Sequence, residues 1–390
     1  MIRRIWTGHR SVAIAASAIA VVAIAAAGVL LVVKPGGTAQ ATATATLGAT
    51  ATATLGATAT ASASVSGSQT TLPSPSDTPT ASPAPGELVY ADLDGVLAPP
   101  NLAHRLPLAI SIGDNAVARP QSGFSSASIV YQSYEEYSED RYLMIFQEGT
   151  ATDIGGVRSA RPYHARWVAE YKALYGHFGG DTKVLNQVIP ALSGSLYNMD
   201  DLSGGSCPYH RITTRAAPHN AYTSSAALIS CLPRLGYPTT FQGVPVRPFV
   251  DDSPAADRPA SQTVTVPYHT VSVSYQFAPA TNEYIRLLNG KKQIDPANNK
   301  QVIARNIIVM FQTVSNDYLD SSGIQRINIG NVGSGNAIVF KEGKAITGTW
   351  KKTSDTALTR FYDGSGNEIP LVRGEIFIQS VPPGTAVTYK

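Results

Sequence analysis

The chain has 390 residues, 43% of them hydrophobic, and a formal charge of +3, which is length and apolar content enough for two ordinary domains. Four cations, Arg3, Arg4, Arg10 and Lys34, flank a single apolar segment and leave 26 of the 30 Lys and Arg against 27 Asp and Glu beyond Lys34. A head so close to neutral lacks the positive footprint from which nucleic-acid binders draw most of their affinity, so nucleic acid is excluded as a partner.

From Val12 to Val33 the text is Ala, Val, Ile and Leu, broken only by Ser17 and Gly28 and free of charge. At 1.5 Å of rise per residue such a helix crosses the roughly 30 Å of a bilayer core. With the cations in front of it, the positive-inside rule keeps residues 1–34 as a cytoplasmic N-terminus and signal-anchor transmembrane helix, and sends the rest outside the cytoplasm. The alternative is a cleaved signal peptide with small residues at Ala39 and Ala41, although signal cores run only about 7–15 residues. Residues 35–86 repeat ATATATLG at Ala41–Gly48 and Ala49–Gly56 and then turn to Ser, Thr and Pro. That composition cannot offset chain entropy and predicts a disordered, low-complexity stalk.

The head predicts two domains. Residues 87–245 alternate strand text (PLAISIG, SASIVYQSY, YLMIFQ) with helical text and read as α/β. The spacing of Trp167, Val168, Tyr171, Leu174 and Tyr175 predicts a helix over 162–175, followed by a strand to Phe178, a turn at Gly179–Gly180, and a second helix capped by Asp181 or Thr182. Residues 246–390 are short alternating runs punctuated by Asn289–Gly290 and Asp363–Gly364, and predict a mainly-β domain.

Three groups of residues have the chemistry of a site. His177 ends a strand before Gly179–Gly180–Asp181, where a neutral imidazole is placed as a base with Asp181 to orient it; the competing reading is a packed histidine and a helix cap. GGVRSARPYH sets Arg158, Ser159 and Arg161 ahead of a helix start, a pattern for gripping a carboxylate or phosphate, against internal pairing with Glu135, Glu136 or Asp140. Between Cys207 and Cys231 lie His210, Arg211, Arg215, His219 and Asn220. Outside the cell the two thiols are expected to join, stabilising the fold by roughly 3 kcal/mol, rather than to act as nucleophile or zinc ligand. No GxSxG, HExxH, P-loop, GxGxxG after a strand, or CxxC occurs, so no cofactor and no metal is expected. Glu135, Glu136, Glu139 and Asp140 offer a carboxylate pair for glycan cleavage or, alternatively, an acidic turn.

The segments PLAISIGDNAVARPQSGFSSASIVYQSYEE, IGGVRSARPY, YGHFGGD and APHNAYTS, with RNIIVMFQTV, GTWKK and GEIFIQSVP further on, resemble the YerB-like lipoproteins, a family of unknown function (DUF3048). The resemblance runs in order from about Pro107 to Val381. It implies an extracytoplasmic envelope protein with an N-terminal α/β domain and a C-terminal β domain. The family pattern falls on Asp114, Asn115, Arg119, Pro120, Gln121, Tyr131, Glu135, Arg141, Arg158, Ser159, Arg161, His177, Gly179, Gly180, Arg215, Pro218, His219 and Asn220, and brings no catalytic assignment with it. One departure is the absence of a cysteine near the apolar segment, which favours anchoring by the helix itself over a lipid.

Two functions follow. One is a membrane-anchored binder whose Arg158, Ser159, Arg161, His177, Arg215, His219 and Asn220 recognise an anionic or glycan cell-wall polymer. The other is a wall-polymer hydrolase or transferase with His177 or His219 as base and Asp114, Glu135 or Asp181 as partner. Whether the protein is an enzyme is left open at this point.

Overall fold

The structure is a computed structural model and describes residues 86–202, 207 and 209–390. The predicted anchor helix and most of the stalk lie outside the described residues, among which no helix is long and apolar enough to cross a membrane. The head is mostly β with few helices.

In chain order the strands that carry the architecture are β1 (Leu108–Asp114), β2 (Ile129–Tyr134), β3 (Asp140–Phe146), β4 (Leu174–His177) and β5 (Tyr197–Asp200). There follow β6 (Thr263–Pro267), β7 (Ser272–Ala278), β8 (Glu283–Leu288), β9 (Asn306–Phe311), β10 (Gly333–Lys341), β11 (Lys344–Lys352), β12 (Arg360–Asp363) and β13 (Ile376–Val381). Ten of them form one sheet in the order β12-β11-β10-β9-β13-β2-β3-β1-β4-β5. Strands from both halves of the sequence therefore share a single sheet. The join is β13, which pairs parallel with β9 on one side and with β2 on the other.

β1, β3 and β13 are buried along their whole lengths, because the sheet is covered on both faces and neither phase of the strand meets water. One face carries Leu108, Ile110, Val130, Met144 and Phe377 against Val264, Tyr275 and Tyr284 of a smaller antiparallel sheet built on β6, β7 and β8. The other carries Tyr131, Leu143, Ile145 and Ile378 against α1 (Pro162–Ala169), whose Trp167 stacks on Tyr131 at 4.7 Å.

The local predictions meet mixed outcomes. The helix expected over 162–175 ends at Ala169, since Lys172 takes a left-handed backbone (φ 45°) that turns the chain into β4. Asp181 caps the next helical turn through Lys183 N (2.9 Å) and Val184 N (3.2 Å), and Asn289–Gly290 closes the turn after β8 with both residues at positive φ. A helix not expected, α2 (Ser225–Cys231), is capped by the Ser224 hydroxyl, which accepts from Ala227 N.

Candidate functional site

Because β3 runs antiparallel to both β1 and β2, the strands β9, β13, β2, β1, β4 and β5 all point the same way. Their carboxyl ends share one edge, the place where open parallel sheets bind ligands. Asp114, Glu135, His177 and Asp200 sit at or just past four of those ends. Residues 157–160 enter between the diverging ends of β1 and β4: Arg158 N donates to Ser111 O, while Phe178 N donates to Arg158 O and Ala160 N to Gly179 O. Most of the predicted residues are therefore gathered on one edge of the sheet, although not on one surface.

The solvent-reached part of that edge is basic. Arg158 is half-buried, and its Nη1 donates to Pro218 O at 3.3 Å, with no carboxylate in ion-pair range among the described residues. Burial first, and then the positive charge of Arg141, lower its pKa to about 10. His219, also half-buried, has its Nδ1 buried with no hydrogen-bond partner among the described residues. Burial and the neighbouring Arg158 lower its pKa, with Glu139 opposing, so the imidazole is neutral at pH 7. Arg215 clasps the loop from below, donating to Ala118 O (2.7 Å), Pro120 O (2.6 Å) and the Tyr222 hydroxyl (2.6 Å). Asn220 is a structural member of the same hairpin, accepting from Arg211 (2.6 Å) and donating to Ile212 O (3.2 Å). Gly156 holds the loop close: a Cβ there would lie 2.8 Å from the His219 carbonyl.

Other predicted residues are occupied internally. Arg161 pairs with Glu135 and Glu136, Arg141 pairs with Glu135, and all four are at most 6% exposed. Arg161 is thus neutralised inside the protein and Glu135 is not free for proton transfer. Ser159 contributes its carbonyl, which accepts from Arg141 (2.6 Å) and the Ser111 hydroxyl (3.1 Å). Asp114 accepts from Arg119 (2.7 Å), Gln121 (3.0 Å) and Gln132 (3.2 Å). His177 is fully buried, its Nδ1 2.9 Å from Gly179 O and its Nε2 2.7 Å from the Asn198 side-chain amide. Burial lowers its pKa, with the Asn198 contact opposing. Fully buried and with both nitrogens engaged, His177 has no route to a substrate. Asp181 caps its helix and accepts from the Tyr318 hydroxyl.

Cys207 and Cys231 are joined, with Cα atoms 5.6 Å apart, so neither thiol serves as nucleophile.

The sequence reading missed the polar seam between the sheets. Arg119 donates to Thr270 (2.6 Å), and Thr270 donates to Asp140 (3.1 Å). Deeper in, fully buried Arg286 donates to Gln132 (2.8 Å), Tyr142 (3.2 Å) and Tyr275 (3.2 Å), with four aromatic rings around its guanidinium. The available signal was an arginine on the inward phase of the alternating run EYIRLL.

Comparison with known proteins agrees with this architecture. Residues 93–237 match the N-terminal domain, and residues 264–378 the C-terminal domain, of a protein family of unknown function (DUF3048). The chain is 27% identical over 296 residues to the Bacillus subtilis (strain 168) protein named "Putative lipoprotein YerB", an alignment covering 75% of this chain and 86% of that protein. It is also similar to a crystal structure of YerB from Bacillus subtilis, with a TM-score of 0.67 and 25% identity over 77% of this chain and 99% of that one. With both domain families matched in order and the same fold in a solved relative, the chain belongs to the YerB-like DUF3048 family.

Proposed function

We propose that this protein is held at the outer face of a membrane and that its head binds an anionic group of a cell-wall polymer at Arg158 and His219, with Arg215 shaping the loop. The observation that carries the reading is Arg158: a half-buried guanidinium with a lowered pKa and, among the described residues, only a carbonyl as hydrogen-bond partner. An anion is the ligand that relieves such a site, since a guanidinium fork matches carboxylate and phosphate oxygens. The extracytoplasmic placement is supported by the apolar segment at Val12–Val33, by the disulfide, and by the relative's name as a lipoprotein. Titration of the purified full chain with inorganic phosphate and short glycerol phosphate oligomers tests it. Saturable binding that Arg158→Gln weakens at least about tenfold is expected, as for loss of a charge-assisted pair; equal affinity in the two proteins defeats the reading.

The hydrolase reading keeps one supporting observation, the neutral imidazole of His219 beside a polar rim. Wall fragments incubated with the full chain and analysed by mass spectrometry separate the two. New products that disappear in His219→Ala establish an enzyme.

A further inference from the structure

A cavity of about 400 Å3 opens between the Glu136–Ser138 turn and a hairpin of Val314–Leu319 with Gln325–Ile329. That volume is within the range of small-molecule sites. None of its lining residues belongs to the Arg158 and His219 rim.

Aromatic rings line it. Tyr134 and His269 stack with ring centroids 4.2 Å apart, and Tyr137 presents its ring at 73% exposure. Val314 and Pro382 add apolar surface, and Asn316 adds an exposed amide. Among these groups is one buried acceptor in need of a donor. Glu136 is 4% exposed, and its Oε2 accepts from Arg161 at 2.9 Å, while its Oε1 has no hydrogen-bond partner among the described residues.

Charge decides the class of ligand. Glu135 and Glu136 are matched by Arg141 and Arg161, and Arg326, 3.5 Å from Glu136, is matched by Asp320, so these six groups present no net charge to the cavity. An ammonium ligand, which aromatic cages otherwise favour, gains little from acids already neutralised, and an anion finds no Lys or Arg among the described residues that line the cavity. A neutral molecule with one apolar face and several hydroxyl donors satisfies both the rings and the free oxygen. We propose that the cavity binds a neutral sugar ring, its CH face against Tyr137 and Tyr134 and a hydroxyl donated to Glu136 Oε1.

Calorimetric titration of the full chain with N-acetylglucosamine trimer and with maltotriose tests this. Saturable binding of at least one is expected, weakened at least about tenfold in Tyr137→Ala and kept in Tyr137→Phe, since the aromatic face supplies the contact. Tyr137 is too exposed for its loss to unfold the protein, and circular dichroism of each variant checks this. Asn316→Ala provides a second, milder loss. Arg158→Gln leaves sugar affinity unchanged, so the anion site and the sugar site fail separately. Binding of neither sugar, unchanged affinity in Tyr137→Ala, or saturable binding of choline in their place overturns the proposal.

Discussion

Asp114 and Asp140 stand opposite each other in the ladder between β1 and β3, yet their surroundings differ. Asp114 accepts from Arg119, Gln121 and Gln132, whereas Asp140 accepts from Thr270 at Oδ2 and its Oδ1, 3.8 Å from His269 Nδ1, has no hydrogen-bond partner among the described residues. Burial, and then the charge of Asp114, push the Asp140 carboxyl up to about 7. A folded value above the unfolded one of about 3.9 means that the fold resists ionisation there. The stabilising contribution of the protonated acid is complete below about pH 4 and is lost as the pH rises to about 7. Asp140→Asn cannot ionise and is expected to gain on the parent protein over that window, by up to about 1.4 kcal/mol per pH unit. Urea unfolding of both proteins at several pH values between about 4 and 8 measures the gap. A gap independent of pH shows that Asp140 titrates as an ordinary carboxylate.

The buried quartet predicts a large and selective loss. Arg161→Ala strands Glu135 and Glu136 with only Arg141 and the more distant Arg326, and an uncompensated buried carboxylate costs about 3–5 kcal/mol. The pair of Arg360 and Glu368 is a control: it is well formed at 2.7 Å but partly solvated, so Arg360→Ala should cost at most about 1 kcal/mol. Equal unfolding midpoints for the two variants would remove the quartet as a stabilising element.

Local features were legible where a residue acts on its immediate neighbours. Asp181 as a cap, Asn289–Gly290 as a hairpin turn, and the pairing of Cys207 with Cys231 follow from short-range chemistry, and the structure has all three. The placement of β13 was not legible. EIFIQSV reads as a strand, but nothing in its residues says that Gln379 will lie beside Gln132 in the other half of the chain, because partner choice in a parallel sheet is settled by the whole fold. His177 shows a third case. The sequence put it correctly at a strand end, but strand phase could not show its burial, because both phases of β4 are covered.

That difference in placement separates the two histidines experimentally. His177→Ala removes a fully buried ring held at both nitrogens and is expected to lower stability by about 2–4 kcal/mol while leaving phosphate affinity of the folded fraction unchanged. His219→Ala removes a half-buried ring whose Nδ1 has no hydrogen-bond partner among the described residues, so it should leave the unfolding midpoint within about 0.5 kcal/mol and weaken anion binding. Paired denaturation and phosphate titration read both quantities. The opposite pattern, with His219 essential for folding and His177 for binding, would move the site to the interior of the sheet edge.

The disulfide ties the same loop to the core from its other side. Cys231 ends α2, and Cys207 precedes the Arg211–Ala221 pairing that carries the His219 loop. Both cysteines are buried, and closing a loop with a sequence separation of 24 stabilises by about 3 kcal/mol in the chain-entropy model. Replacing both with serine is therefore expected to lower the urea midpoint by the equivalent of that amount, and reductant should lower the parent midpoint while leaving the double variant unmoved. Because the released segment also holds Arg215 and His219, phosphate affinity should fall with it. A parent protein whose midpoint is the same with and without reductant would show that the cross-link contributes nothing, and the rigidity of the His219 loop would then rest on the three hydrogen bonds donated by Arg215.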